Sequence, residues 1–145
     1  MSGSRSRARQ ATVQALYQWQ VTGQSHHDIG RLFLRNEDSD EDAEGDLDEA
    51  YFAELIREVP RHVEEIDGLL APHLDRPLAE VDPVERAILR LGVYEFRYRP
   101  EIGYRIVLNE AVELAKRFGG DSGHKFINAV LDKAAAILRA DERRG

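Results

Sequence analysis

The sequence predicts an all-α fold, and three observations carry that prediction. Apolar residues recur three and four apart along most of the 145 residues, the spacing of one helix face. Glycine, proline and acidic runs interrupt these segments at helix-length intervals. No stretch alternates apolar and polar residues for long enough to form a half-buried strand. The length fits one domain, residues 1–145, and 42% hydrophobic residues suffice for a core. That content also excludes a disordered acidic tail.

In chain order, the first helix is expected from about Arg7 to Thr22, with Val13, Leu16, Tyr17 and Val21 on one side and Gly23 as its stop. Before it, residues 1–10 form a flexible arginine-rich arm. Ser25 can cap a short second helix holding Ile29, Leu32 and Phe33. Residues 37–46 hold nothing apolar but Ala43 and read as a solvated acidic loop. The helical pattern resumes at Leu47 and continues to Leu74, with Pro60 expected to kink or split it by removing a hydrogen bond.

Asp82-Pro83-Val84-Glu85 marks the clearest helix start, with an N-cap aspartate, proline at the first helical position and glutamate at the third. The helix it opens runs to about Tyr98, is apolar nearly all round, and stops at Pro100. Another follows from about Arg105 to Phe118 and ends at Gly119-Gly120. Asp121 or Ser122 caps the last, whose buried stripe is Phe126, Ile127, Val130, Leu131, Ala134, Ile137 and Leu138. Asn109 and Asn128 interrupt apolar faces, so a hydrogen bond between helices is expected for each.

The formal net charge of −7 argues against a nucleic-acid binder, but its distribution reverses that argument. Met1 to Gln20 carries Arg5, Arg7 and Arg9 and no acid, whereas Asn36 to Glu58 holds eleven acids against Arg57 alone. Apart from a basic start and an acidic block, the chain is neutral. Seventeen of its twenty cations are arginine, which suits bidentate phosphate contacts and stacking on bases, and equally follows from GC-rich coding.

Catalytic and metal chemistry find little support. There is no cysteine, hence no disulfide framework, thiolate ligand or thiol nucleophile. His26-His27-Asp28 is the only histidine cluster; it lacks metal-ligand spacing and reads as a solvated turn. Gly119-Gly120 belongs to neither a P-loop nor a dinucleotide fingerprint, and no serine nucleophile elbow is present. Neither cofactor nor metal is therefore expected. No apolar run approaches the ~18 residues of a membrane span and nothing resembles a signal peptide, so the expected location is the cytoplasm.

Two features do suit nucleic acid. The alternating arginines Arg5, Arg7 and Arg9 can lie along a phosphate backbone, or form an ordinary basic tail. At the junction Gly119 to Phe126, a helix N-terminus offers unpaired N–H groups, His124 and Lys125 add donors, and Phe126 can stack on a base or cap the core.

Four stretches together are similar to the NusB family of bacterial transcription antitermination factors. They are R-x-R-A-R-Q-x-x-V-Q-A-L-Y-x-W-Q (Arg5 to Gln20), D-P-V-E-R-A-I-L-R-L-G-V-Y-E (Asp82 to Glu95), I-V-L-N-E-A-V-E-L-A-K-R-F-G (Ile106 to Gly119) and H-K-F-I-N-A-V-L-D-K (His124 to Lys133). They cover nearly the whole chain in order, the acidic loop excepted. The resemblance implies a NusB-like fold of two packed helical bundles with about 6–7 helices and a non-catalytic role. It further implies binding to the boxA element of nascent ribosomal RNA leaders as a single strand, together with ribosomal protein S10, with RNA polymerase and other Nus factors as indirect partners.

Carried over by position, Arg5, Arg7 and Arg9 fall on the RNA phosphates, and Asp121, Ser122, His124, Lys125 and Phe126 complete the RNA surface. Glu85 and Tyr94, on the central helix, become the candidates for S10 contact. Ala129 replaces a glycine usual in the family, and the turn G-D-S-G-H shifts its acidic residue. The rival readings are a helical protein–protein adaptor without specific RNA binding, and the helical part of an rRNA methyltransferase, whose α/β cofactor domain these residues do not contain. The apolar central helix leaves room for a homodimer.

Overall fold

Helix α1 runs from Ser2 to Thr22, α2 from His26 to Glu37 and α3 from Glu49 to Arg61 in a computed structural model that describes residues 2–37, 46–120 and 122–144. They form a first unit, Met1–Arg61. The second unit, His62–Gly145, holds α4 (Val63–Leu70), α5 (Pro83–Tyr98), α6 (Tyr104–Phe118), α7 (Gly123–Leu138) and the short α8 (Ala140–Arg144). Two 3-10 turns, Ala71–His73 and Leu78–Glu80, join α4 to α5. No strand occurs among the described residues, and each unit is a helical bundle, the all-α class that the periodicity predicts.

In the first unit, α1 departs from expectation at both its start and its buried face. Residues 2–10 are helical, in place of a flexible arm. Arginine and alanine favour helix, and the first turns are anchored on α3's start: Asp48 N donates to Ser4 O at 3.2 Å, and the Arg5 guanidinium lies 4.4 Å from the Tyr51 ring centre. Val13 and Leu16 are buried as expected, together with Ala8, Ala11, Thr12 and Ala15, whereas Tyr17 and Val21 are 41% and 55% exposed. Small residues win this face because they let α2 and α3 approach closely. Thr12 Oγ1 donates back to Ala8 O at 2.8 Å, which satisfies the hydroxyl inside the core.

The local stop and start signals hold. Gly23 takes φ of 72°, the left-handed conformation that ends a helix, and its N–H donates to Trp19 O at 3.0 Å. Ser25 Oγ accepts from Asp28 N at 3.4 Å. Asp48 caps α3 by accepting from Tyr51 N at 3.0 Å. Around Phe52, the core gathers Leu16, Ile29, Leu55, Ile56 and Val59, and Phe33 stacks on Phe52 with ring centres 6.1 Å apart. Of the acidic loop 37–46, residues 38–45 lie outside the described residues. Helix α3 passes Pro60 and breaks at His62, two residues later than the missing donor, and this break is the unit boundary.

In the second unit, Asp82 caps α5 as its sequence predicts: the carboxylate accepts from Val84 N at 3.0 Å and Glu85 N at 3.1 Å. Ile88, Leu89, Leu91 and Val93 are buried on more than one side of α5, together with Ile127 and Leu131 of α7. Arg139 closes the far end. Only 7% exposed, it donates to Phe96 O (2.9 Å), Ile102 O (2.8 Å), Arg99 O (3.0 Å) and Glu95 O (3.2 Å), carbonyls in the last turn of α5 and the turn that follows it, two of which also accept a backbone N–H. A Glu142 carboxylate 2.6 Å away neutralises the guanidinium and also accepts from Tyr104 N, capping α6. Asn109 and Asn128 are both exposed, so neither makes the expected buried contact. Ala129 is exposed as well and widens no helix packing.

Candidate nucleic-acid interface

The arginines of α1 follow one another up the helix at different depths. Arg5 is half-buried, 3.9 Å from Asp48 and over the Tyr51 ring. Arg7 is also half-buried. Arg9 is only 3% exposed and holds its guanidinium 5.6 Å from the same Tyr51 ring centre. A phosphate contact needs an accessible guanidinium, and that of Arg9, unlike Arg5 and Arg7, is closed off from solvent in the folded chain. Tyr51 therefore organises two of the three arginines.

At the start of α7, Lys125 and Ser122 are exposed, His124 and Phe126 are half-buried, and Asp121 lies outside the described residues. The Ser122 side chain makes no capping bond. Gly123 N donates to Gly120 O at 3.1 Å and Lys125 N to Ser122 O at 3.2 Å, so part of the helix terminus is already satisfied by backbone. The remaining attraction for an anion rests on Lys125 and the helix dipole.

Sequence reasoning missed Arg76. It is exposed, sits 4.7 Å from the Phe126 ring centre and pairs with Asp75 at 2.8 Å. That bond holds the Asp75 carboxyl below its ordinary value. Phe126 thus neither projects alone into solvent nor serves only the core: its ring already carries a planar cation, the kind of partner a base also stacks on. Fifty residues separate the pair, and no local signal links them.

Glu85 has a different setting from the one expected of it. Its carboxylate is at the foot of α7, 3.2 Å from where a side chain on Gly123 would begin. Burial, and then the neighbouring Asp82, push its carboxyl above the ordinary value, while Arg76 pulls it down. Negative charge therefore already faces the turn that is expected to meet RNA. Tyr94, the other candidate for partner contact, is only 4% exposed and stacks on Tyr98 with ring centres 5.3 Å apart. Its phenol ring is therefore part of the core of its unit and offers little surface to a partner.

No group of three or more histidine or acidic residues among the described residues is arranged to hold a metal ion, and no described helix is long and apolar enough to cross a membrane.

The model of the NusB family matches residues 6–136. Transcription antitermination protein NusB of Nitrosococcus oceani is 54% identical over 144 residues, covering 99% of this chain and 93% of that protein. Its counterpart in Halorhodospira halophila is 53% identical over 141 residues, covering 96% and 87%. A crystal structure of antitermination factors NusB and NusE in complex with dsRNA superposes with a TM-score of 0.82 at 26% identity, covering 97% of this chain and 99% of that one. T. maritima NusB superposes with a TM-score of 0.77 at 27% identity, covering 97% of both chains. Family motifs, helical architecture and relatives along almost the full length agree, and the chain belongs to the NusB family.

Proposed function

We propose that this chain is a transcription antitermination factor that binds the boxA element of nascent ribosomal RNA leaders together with ribosomal protein S10. It thereby supports read-through by RNA polymerase in rRNA operons, alongside other Nus factors. The carrying observation is the likeness, across 97% of the chain, to a NusB that is seen with NusE (protein S10) and dsRNA.

Arg5 and Arg7 meet phosphate and sugar, and Arg9 with Tyr51 holds the helix that presents them. Lys125 supplies a further phosphate contact, with Ser122 and His124 beside it, and Asp121 is assigned to the same RNA surface by its place in the family motif. Phe126 and Arg76 form the stacking platform. Glu85 is the residue proposed for S10. The protein works in the cytoplasm by tethering RNA and protein, and it makes or breaks no covalent bond.

The test is the affinity of a single-stranded boxA RNA, and of a scrambled RNA of equal length, with and without S10. Selective tightening of the boxA complex by S10, tenfold or more, is expected. Equal affinity for both RNAs in the presence of S10 would overturn the proposal.

A further inference from the structure

In the first unit, α2 and α3 leave an apolar groove between them. Gly30 lies on its wall: a Cβ at that position would stand 3.1 Å from Ile56 Cγ2, so the two helices approach closely where α2 has no side chain. The groove is open to solvent and offers about 280 Å³, lined along its floor by the half-buried Leu34 and, beneath it, the buried Phe52 and Ile56. Small-molecule pockets run from about 300 to 1,000 Å³, so this space is sized for one or two side-chain anchors.

Cationic or titratable side chains surround that floor. His26, His27, Arg31 and Arg57 line the groove, and no carboxylate of the described residues does. Arg31 has Asp28 at 3.6 Å and Arg57 has Glu58 at 3.3 Å, but both guanidiniums are well exposed, at 70% and 62%. Such water-screened pairs are weakly held and exchange readily for a partner's carboxylate. At the same edge, His26 Nδ1 is closed off from solvent without a hydrogen-bond partner among the described residues.

An apolar floor within a basic rim calls for a ligand with apolar anchors and acidic flanks. The acidic stretch 37–46 of this chain matches the rim in charge, yet it offers only Ala43 to the floor. A helix with large apolar residues at i and i+4 and glutamates beside them satisfies both requirements. We infer that this groove docks an acidic amphipathic helix of a partner protein other than S10, on a surface separate from the RNA-facing arginines.

The probe is a synthetic 16-residue peptide, a length of about four helical turns, with leucine and phenylalanine at i and i+4 and flanking glutamates. Its control is a scrambled isomer without the helical period. Binding to the full chain is read by fluorescence anisotropy. The periodic peptide is expected to bind at least tenfold more tightly than its isomer. Arg31→Glu combined with Arg57→Glu, both at exposed positions, should abolish that preference with the circular dichroism and boxA affinity unchanged. The milder pair Arg31→Gln and Arg57→Gln should weaken it partially. Equal binding of the two peptides would overturn the inference, as would no saturable binding up to about 1 mM. Unchanged binding to the Glu pair, or displacement of the probe by S10 or by a peptide of residues 36–47, would also overturn it.

Discussion

At helix α1 and at the start of α7 a guanidinium meets an aromatic ring, with opposite consequences for access. On α1, Tyr51 lies within 4.4 Å of the Arg5 guanidinium and 5.6 Å of Arg9, and it draws Arg9 inside the bundle. On α7, Lys125 stays in solvent, and the ring next to it, Phe126, is met by an exposed cation from outside its own helix, Arg76. In the first case the aromatic residue makes arginine part of the fold; in the second, arginine helps to present the aromatic residue. Cations that look equivalent in the sequence therefore divide into those drawn into the fold and those left open to solvent.

Substitutions can break that division. Arg9→Ala carries the largest expected effect: removing a buried guanidinium costs about 2–4 kcal/mol of stability, read by urea denaturation. Native-like stability would place Arg9 with the accessible arginines instead. Phe126→Leu keeps an apolar side chain but loses the flat ring. Base stacking is worth about 1–3 kcal/mol, so boxA affinity should fall by roughly 5- to 150-fold, and an undiminished affinity would remove the ring from the RNA surface.

Smaller effects sharpen the comparison. Lys125→Ala should lower the salt dependence of RNA binding by about 0.7 in log–log slope, with the thermal midpoint unmoved. A shifted midpoint would show that Lys125 is structural after all. Glu85→Gln has the smallest effect, on stability. Because burial and Asp82 raise the Glu85 carboxyl in the folded chain, the native state binds more protons than the unfolded one just above the ordinary carboxylate range. Stability from this group is then lost as pH rises through that window. The neutral amide should therefore melt slightly higher near neutral pH and show no advantage near about pH 3, where the native carboxyl is already protonated. The opposite pH trend would contradict the burial described for Glu85.

Features set by neighbouring residues were legible in the sequence. The Asp82-Pro83 start of α5, the Gly23 stop and the Ser25 cap depend on a few adjacent dihedrals and donors, and each appears where its signal stands. What depends on packing between helices was not legible. Arg9 is buried because α3 brings Tyr51 to it, and Tyr17 and Val21 are exposed because small residues form the closer contact. Asn109 and Asn128 could not be placed on a face without knowing how each helix is rotated. The arginine start was recognised as basic, but its helicity comes from Asp48 and Tyr51, more than forty residues away. Arg76 was missed for the same reason: its partner Phe126 is adjacent only in space.

Salt titration of boxA RNA binding, comparing the unaltered chain with Arg5→Ala combined with Arg7→Ala, tests the central claim most directly. Each phosphate contact contributes about −0.7 to the slope of log K against log salt for a single strand. Losing both accessible arginines should flatten that slope by about 1.4, and Arg9→Ala alone should leave it unchanged in folded protein. A slope that stays the same in the double variant would contradict the assignment of α1 to the RNA backbone.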